Sequence, residues 1–134
     1  MRIKCNWPDR ELFPNARAFR LVKAKYARMA RKKAAYAAQA VPLTLNESHW
    51  LGTEEPIPYG LVIQPRDKRR RDEDNIIAAM KSTLDGIAEG LGVNDSRFRL
   101  MWVQWLPPAK PPSITVALLE RPPEALMEVF DGKL

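Results

Sequence analysis

Apolar and polar residues alternate in three stretches of the chain, and this period of two predicts β-strands. The first is Met1–Trp7, where the apolar side chains fall at every second position. The second covers residues 57–63 and is closed by Pro65, and the third covers residues 114–119. We therefore expect a sheet assembled from segments that are distant along the chain.

A period near 3.6 residues predicts two main helices. One runs from about residue 16 to residue 40 in an alanine-rich background and is ended by Pro42. The other runs from about Asn75 to Glu89, with Gly90 and Gly92 as stop signals. Residues 44–58 between them read as a connection, which leaves room for a short strand near residues 43–45.

Residues 98–105 are apolar at both odd and even positions, which predicts a central strand or one buried in an interface. A stiff turn at residues 107–112 would join it to the strand at 114–119 as a hairpin. The element order predicts an α+β fold, a small mixed β-sheet of about four strands with two main helices packed on it. A chain of 134 residues fits one domain, 1–134, with a C-terminal tail from about residue 121 to 134.

Positive charge is concentrated in the first predicted helix. Between Arg17 and Lys33 the chain has eight basic residues and no acidic one, which more than accounts for the net charge of +6. Such a distribution is typical of a protein that binds a polyanion, although a solvated helix face is the alternative. The candidate cations for holding such a polyanion are Arg17, Arg20, Lys23 and Arg28, together with Arg69, Arg70 and Arg71 of a second basic run.

That second run, residues 66–75, changes from basic to acidic within one residue. Cations just before a helix oppose its dipole, whereas a site for phosphate and a divalent metal needs both charges side by side. Asp72 and Asp74 would point the same way on extended backbone and diverge on a helix. The alternative is that Asp74 is only the N-cap of the helix. Asp95 is the third candidate ligand if the helix returns it to the same end of the sheet.

The predicted location of the protein is cytoplasmic. No apolar run approaches the roughly 18–20 residues that span a bilayer. Residues 1–7 contain no apolar signal core. The single cysteine, Cys5, fits a small buried hydrophobe in a reducing compartment.

Four motifs in this order resemble the RusA family of Holliday junction resolvases, and the resemblance spreads over roughly residues 7–118. They are Leu12-Phe13-Pro14-Asn15-Ala16-Arg17 before the basic helix, Arg71-Asp72-Glu73-Asp74-Asn75, Leu84-Asp85-Gly86-Ile87 and Gly92-Val93-Asn94-Asp95. The resemblance implies a small homodimeric, Mg²⁺-dependent endonuclease, encoded by phages, prophages and bacteria, that cuts four-way DNA junctions.

The resemblance also implies roles for individual residues. Asp72 and Asp74 match the family's DxDN aspartates and Asp95 matches its later acid, so these three would bind Mg²⁺, with Mn²⁺ as a possible substitute and no small-molecule cofactor. The family's catalytic lysine falls on Ala78, which is a departure. Lys81 lies on the same helical stripe and fits that lysine if about three residues are inserted. The predicted catalytic residues are therefore Asp72, Asp74, Asp95 and Lys81.

The leading hypothesis is a Mg²⁺-dependent endodeoxyribonuclease that resolves Holliday junctions in DNA recombination and repair. Ala78 keeps open an alternative, a non-catalytic structure-specific DNA-binding protein with the same fold. A third possibility is a basic scaffold protein whose acidic residues serve only as helix caps.

Overall fold

The computed structural model describes residues 1–126, which contain both strands and helices. The strands are β1 (Arg2–Asn6), β2 (Ile57–Gln64), β3 (Phe98–Trp105) and β4 (Ser113–Leu118). The helices are α1 (Arg20–Gln39), α2 (Leu45–Leu51), α3 (Glu73–Ala79) and α4 (Lys81–Leu91), with short 3-10 turns at Arg10–Leu12 and Asp95–Arg97. The expected tail, 121–134, lies partly outside the described residues.

The four strands form one mixed sheet in the order β1-β4-β2-β3. Strand β4 is antiparallel to both of its neighbours, and β2 and β3 run parallel. The prediction of an α+β fold with a four-stranded mixed sheet is thus confirmed. The predicted hairpin is wrong, because β4 inserts between β1 and β2 instead of pairing with β3.

The main core lies between one face of the sheet and the helices. Leu61, Ile63, Ile114 and Val116 on that face are fully buried, and they pack in one cluster with Ile87 of α4. Alternation along β2 and β4 therefore follows directly from burial of one face. None of the helices within residues 1–126 is both long and apolar enough to cross a membrane.

Helices α1 and α4 pack together very closely. A Cβ atom on Gly86 would overlap the carbonyl group of Arg31, and one on Gly90 would overlap the carbonyl oxygen of Ala35. Four residues separate Gly86 from Gly90 in α4, and four residues separate their contacts Arg31 and Ala35 in α1, so the two helices run parallel. The first six residues of α1 consequently extend past the start of α4, by about 9 Å at the rise of an α-helix.

Strand β3 lies at the edge of the sheet and not in its centre. The strand has apolar residues on both faces because the second face of the sheet is also partly buried. On that face the indole of Trp102 lies over Gly60 and is buried with Val62 and Ala117. Met101 of β3 is 61% exposed. The expectation of a central strand was therefore wrong, while burial in an interface stays a prediction.

The helices differ from expectation in three places. Helix α1 begins at Arg20, four residues later than predicted. The connection contains a helix, α2, where a strand was considered, because Thr44 and Glu47 form a capping box that starts it. The second predicted helix is two helices: α3 ends at Ala79, and Met80, a fully buried residue with ψ of −3°, separates it from α4.

Candidate functional site

The loop between β2 and α3 is organised around Asp67. Its carboxylate accepts a hydrogen bond from the backbone N–H of Arg69 (3.0 Å) and one from the side chain of Arg71 (2.7 Å). These two bonds, in that order of importance, lower the pKa of Asp67 below its usual range. The carboxylate of Asp67 therefore neutralises part of the positive charge of its own loop.

Arg71 is the most constrained of the candidate DNA-binding arginines. Its guanidinium donates hydrogen bonds to the carbonyl oxygens of Asp67 and Arg69, both at 2.9 Å, and lies 5.6 Å from the centroid of the Trp7 ring. Only 20% of its side chain is exposed, compared with 81% for Arg69. Arg70 is exposed too. Arg69 and Arg70 are thus available to a partner, whereas Arg71 mainly holds the loop to the end of β1.

Asp72 is the N-cap of α3. Its backbone is extended, and its carboxylate accepts hydrogen bonds from the N–H groups of Asp74 (2.9 Å) and Asn75 (3.4 Å). Asp74 lies in the first helical turn, so the two aspartates do not share an extended backbone as expected. The capping alternative was correct about the presence of a cap but wrong about the residue. Asp74 is exposed, and its carboxylate is not used as the cap.

Lys81 and Asp95 are linked through Asp85. The ammonium of Lys81 lies 3.8 Å from the carboxylate of Asp85, one turn further along α4. Burial raises the pKa of Asp85, and a hydrogen bond with Asp95 raises it further, against the opposing charge of Lys81. The negative charges of Asp85 and Asp95 oppose each other, and the nearby cations Lys81 and Arg31 partly offset this repulsion. The structure therefore brings two predicted catalytic residues into one place, with Asp85 as an additional member.

The acidic pair at the start of α3 lies towards the other end of β3. The indole N–H of Trp105, the last residue of β3, donates to Glu73, whereas Asp95 begins the 3-10 turn that immediately precedes β3. An eight-residue strand is about 23 Å long. Within residues 1–126 no three acidic, histidine or cysteine side chains lie close enough to hold a metal ion. The expected meeting of Asp72, Asp74 and Asp95 is thus not formed in one chain.

Helix α1 and the residues just before it present their cations to solvent. Arg17, Arg20 and Arg28 are exposed and Lys23 is partly exposed. Among residues 1–126, no ion pair connects any of these four to an acidic side chain. Further along the helix Arg31 does pair with Glu89 of α4 (2.7 Å). The row of cations on α1 is therefore largely uncompensated and reaches the helix that carries Lys81 and Asp85.

Asp85 was absent from the predicted site, although one local signal was available. Its spacing of four residues from Lys81 puts both side chains on one helical face. Its contact with Asp95 depends on the reversal after α4, where Gly92 adopts a left-handed conformation with φ of 71°. The spacing of apolar residues along the chain does not predict this reversal.

Comparisons with known proteins leave the family of this chain open. No family model matches it. The chain is similar to an uncharacterized protein of Xylella fastidiosa (strain Temecula1 / ATCC 700964), with 32% identity over 96 residues. That alignment covers 69% of this chain and 58% of the relative. The chain thus spans less than two thirds of the relative's length, and the resemblance to RusA resolvases stays a prediction.

Proposed function

We propose that this protein is a Mg²⁺-dependent endodeoxyribonuclease that cuts four-way DNA junctions in recombination and repair, in the cytoplasm and as a homodimer. The observation that carries the proposal is the contact of Lys81 and Asp95 with Asp85, beside the uncompensated cations of α1. A general phosphate-binding surface needs cations alone. A hydrolytic site also needs acids that hold a divalent ion, and here the two occur together.

The donor set at this place fits a hard divalent cation. Asp85 and Asp95 are two carboxyl groups in contact, and a cation between them relieves their repulsion. Mg²⁺ is commonly held by one or two carboxylates, with water and substrate phosphate as its remaining ligands, so a third acid is not required. Bound Mg²⁺ supplies a water of lowered pKa and offsets negative charge on the phosphate. Asp72 and Asp74 lie towards the other end of β3, so the proposal keeps them as metal ligands through a site shared with the second copy of the homodimer, with Asp74 offering the free carboxylate.

The cations of the chain would bind the DNA backbone and stabilise the negative charge that develops during cleavage. Lys81 carries its charge on a flexible stem with 78% of the side chain exposed, so its ammonium can reach the phosphate or the leaving oxygen. Arg69, Arg70 and the cations at the start of α1 would hold the flanking backbone. Such contacts fix the position of DNA without reading its sequence, which suits a substrate recognised by its branched shape.

A homodimer accounts for paired cuts. A four-way junction has near two-fold symmetry, so two copies of one site can address two opposite strands. Strand β3 supports this part of the proposal, because it lies at the sheet edge with Met101 and Trp105 exposed by 61% and 41%. An exposed strand edge with large apolar side chains is a ready surface for a second chain.

Cleavage of a synthetic four-way junction tests this proposal. The wild type should cut it with Mg²⁺ or Mn²⁺ and stop when the metal is chelated. Asp74→Asn should abolish cleavage, because it removes a charged oxygen ligand while keeping the size of the side chain. Glu54→Gln is the matched control, since Glu54 is an exposed acid outside the candidate site. Full cleavage by Asp74→Asn would remove Asp74 from the site.

A non-catalytic junction-binding protein is the second candidate. Two observations favour it: Ala78 stands where the resembled family has its catalytic lysine, and residues 1–126 contain no three-acid group fit for a metal ion. It predicts tight binding to junction DNA with no cleavage in either Mg²⁺ or Mn²⁺. The same assay therefore chooses between the two candidates.

A further inference from the structure

A groove lies between the start of α1 and the segment that connects it to β1. It has a volume of about 930 Å³. Its lining is mixed: apolar side chains predominate, and two arginines and one acid, Glu11, which lies 3.9 Å from Arg10, also line it. The lining side chains include Trp7, Phe13, Phe19 and Val22, with Arg10 and Arg17. This groove is distinct from the Lys81–Asp85–Asp95 contact, and of its lining residues only Arg17 and Trp7 have been given a role above.

Phe19 is the most exposed large aromatic side chain of the described residues. It precedes the first turn of α1, and 84% of its surface is in contact with solvent. Phenylalanine gives no hydrogen bond to a helix start, where Ser, Thr, Asp or Asn is preferred. Helix formation thus gives no reason for an aromatic ring at this position, and neither does the core.

The surroundings of Phe19 define the chemistry of a ligand. Arg17 and Arg20 flank it and Lys23 follows one turn later, while no acid occurs between residues 17 and 33. A ligand that matches this surface is anionic and has a flat apolar face. A nucleobase on its phosphate backbone has both properties, and aromatic rings beside cations are the usual means of holding unpaired bases.

We infer that this groove receives one base that leaves the stack at a DNA branch point, with Phe19 stacking on the base and Arg17 and Arg20 contacting its phosphates. Trp7 forms a wall of the groove and not the platform, because its ring already packs with Arg71. The inference rests on the proposed function only in taking DNA as the ligand. It does not depend on whether the DNA is cut.

The position of α1 supports this assignment. The first turns of α1 extend past the start of α4, so the groove and its cations project beyond the helix pair. The Arg71–Trp7 contact also brings the loop that carries Arg69 and Arg70 to the same end of the sheet. A base held in the groove would therefore have its backbone between two groups of cations.

The test uses a four-way junction with 2-aminopurine at its branch point, a base analogue whose fluorescence rises when it leaves the stack. Binding is measured with chelator present, so that no DNA is cut. The wild type should raise the fluorescence. Phe19→Ala should abolish the rise and weaken affinity about tenfold, as expected for loss of one base–aromatic stack. Phe19→Trp should restore the affinity, because the indole also offers a flat stacking face.

Two variants separate stacking from other effects. Leu21→Ala removes a side chain that is 83% exposed but does not line the groove, and it should behave as the wild type. Arg17→Gln should lower the slope of log affinity against log salt by about 1, because one phosphate contact is lost. Phe19→Ala should leave that slope unchanged.

Each of the following results with the variants would overturn the inference: an unchanged fluorescence rise in Phe19→Ala, equal losses in Leu21→Ala and Phe19→Ala, or a shift of Phe19→Ala from dimer to monomer in light scattering. The last would assign the groove to a second copy of the chain. A wild type that binds junctions with a fluorescence rise and never cuts them would contradict the endonuclease proposal and leave this inference supported. A wild type that does not bind DNA would overturn both.

Discussion

The guanidinium of Arg71 lies over the indole of Trp7, 5.6 Å from the ring centroid. This contact joins the loop after β2 to the residue that follows β1, and these strands are separated in the sheet by β4. The loop's exposed cations, Arg69 and Arg70, are held by this anchor at one end of the sheet. An arginine that seemed to belong to the DNA surface is therefore the residue that orients that surface.

Neutralising Arg71 and neutralising Arg70 should have different effects. Arg71→Gln should lower the free energy of unfolding by about 1–2 kcal/mol, because it removes hydrogen bonds to two carbonyls and the contact with Trp7. Arg70→Gln should leave stability unchanged and reduce the salt slope of junction binding by about 1. Urea denaturation and binding titrations measure the two effects, and equal stability of the two variants would contradict the anchor role.

The contact between Gly86 and Arg31 should make the α1–α4 interface intolerant of a single methyl group. Gly86→Ala should lower the free energy of unfolding by about 1–3 kcal/mol, since overpacking outweighs the better helix propensity of alanine. Gly52→Ala is the control, because a Cβ there meets only ordinary contacts at 3.5 Å. It should be neutral or stabilising by about 0.5–1 kcal/mol. A stabilising effect of Gly86→Ala in thermal or urea unfolding would show that the helices do not pack as described.

Local patterns predicted much of the fold, and non-local pairing explains what they missed. Burial of Ile57, Tyr59, Leu61 and Ile63 follows from alternation along one strand, which needs no knowledge of the neighbours. The position of β4 between β1 and β2 depends on pairing of distant segments, which periodicity does not contain. Helix α2 was missed although its capping box was present in the sequence.

The candidate site was predictable to a similar extent. Lys81 and Asp85 share a helical face, which spacing alone indicates. The cap formed by Asp72 is also local, but it was assigned to Asp74 because helix starts are uncertain by a few residues. The contact of Asp95 with Asp85 and the packing of Arg71 on Trp7 depend on chain reversals and on distant strands, so no local pattern reveals them.

The thiol of Cys5 should make stability fall at alkaline pH. Burial raises the pKa of Cys5 to about 11, compared with about 8.5 in an unfolded chain. The folded state thus holds its proton more tightly, and the stabilisation is complete below about pH 8.5 and is lost as the pH rises towards 11. The free energy of unfolding should fall more steeply in this window for the wild type than for Cys5→Ala. Parallel curves for the two proteins would contradict the burial of the thiol.

Two substitutions of Asp72 should separate its capping role from a ligand role. Asparagine caps a helix as well as aspartate does, so Asp72→Asn should keep the wild-type free energy of unfolding. Asp72→Ala should lose about 1 kcal/mol. If Asp72 also binds Mg²⁺, Asp72→Asn should lose cleavage at unchanged stability. Junction cleavage at the wild-type rate by Asp72→Asn would restrict this residue to the cap.

Lys81 should matter for cleavage and not for folding. Its side chain is mostly exposed, so Lys81→Ala should unfold at nearly the wild-type temperature while its cleavage rate falls by about a hundredfold. Lys25→Ala, which removes an exposed cation from α1, is the matched control and should slow cleavage only through weaker binding. Cleavage rates measured at saturating protein distinguish the two variants, because weaker binding no longer limits the rate there. Equal rates at saturation would mean that Lys81 is only another phosphate contact.

Single-turnover cleavage of a four-way junction by Asp95→Asn, in Mg²⁺ and at saturating protein, tests the central claim most directly. Asp95 is exposed and precedes β3, so the substitution leaves the core intact. We predict a rate at least about a hundredfold below that of the wild type, with junction binding equal or tighter because one negative charge is removed. Cleavage within a factor of about two of the wild-type rate would contradict the assignment of catalysis to this place in the fold.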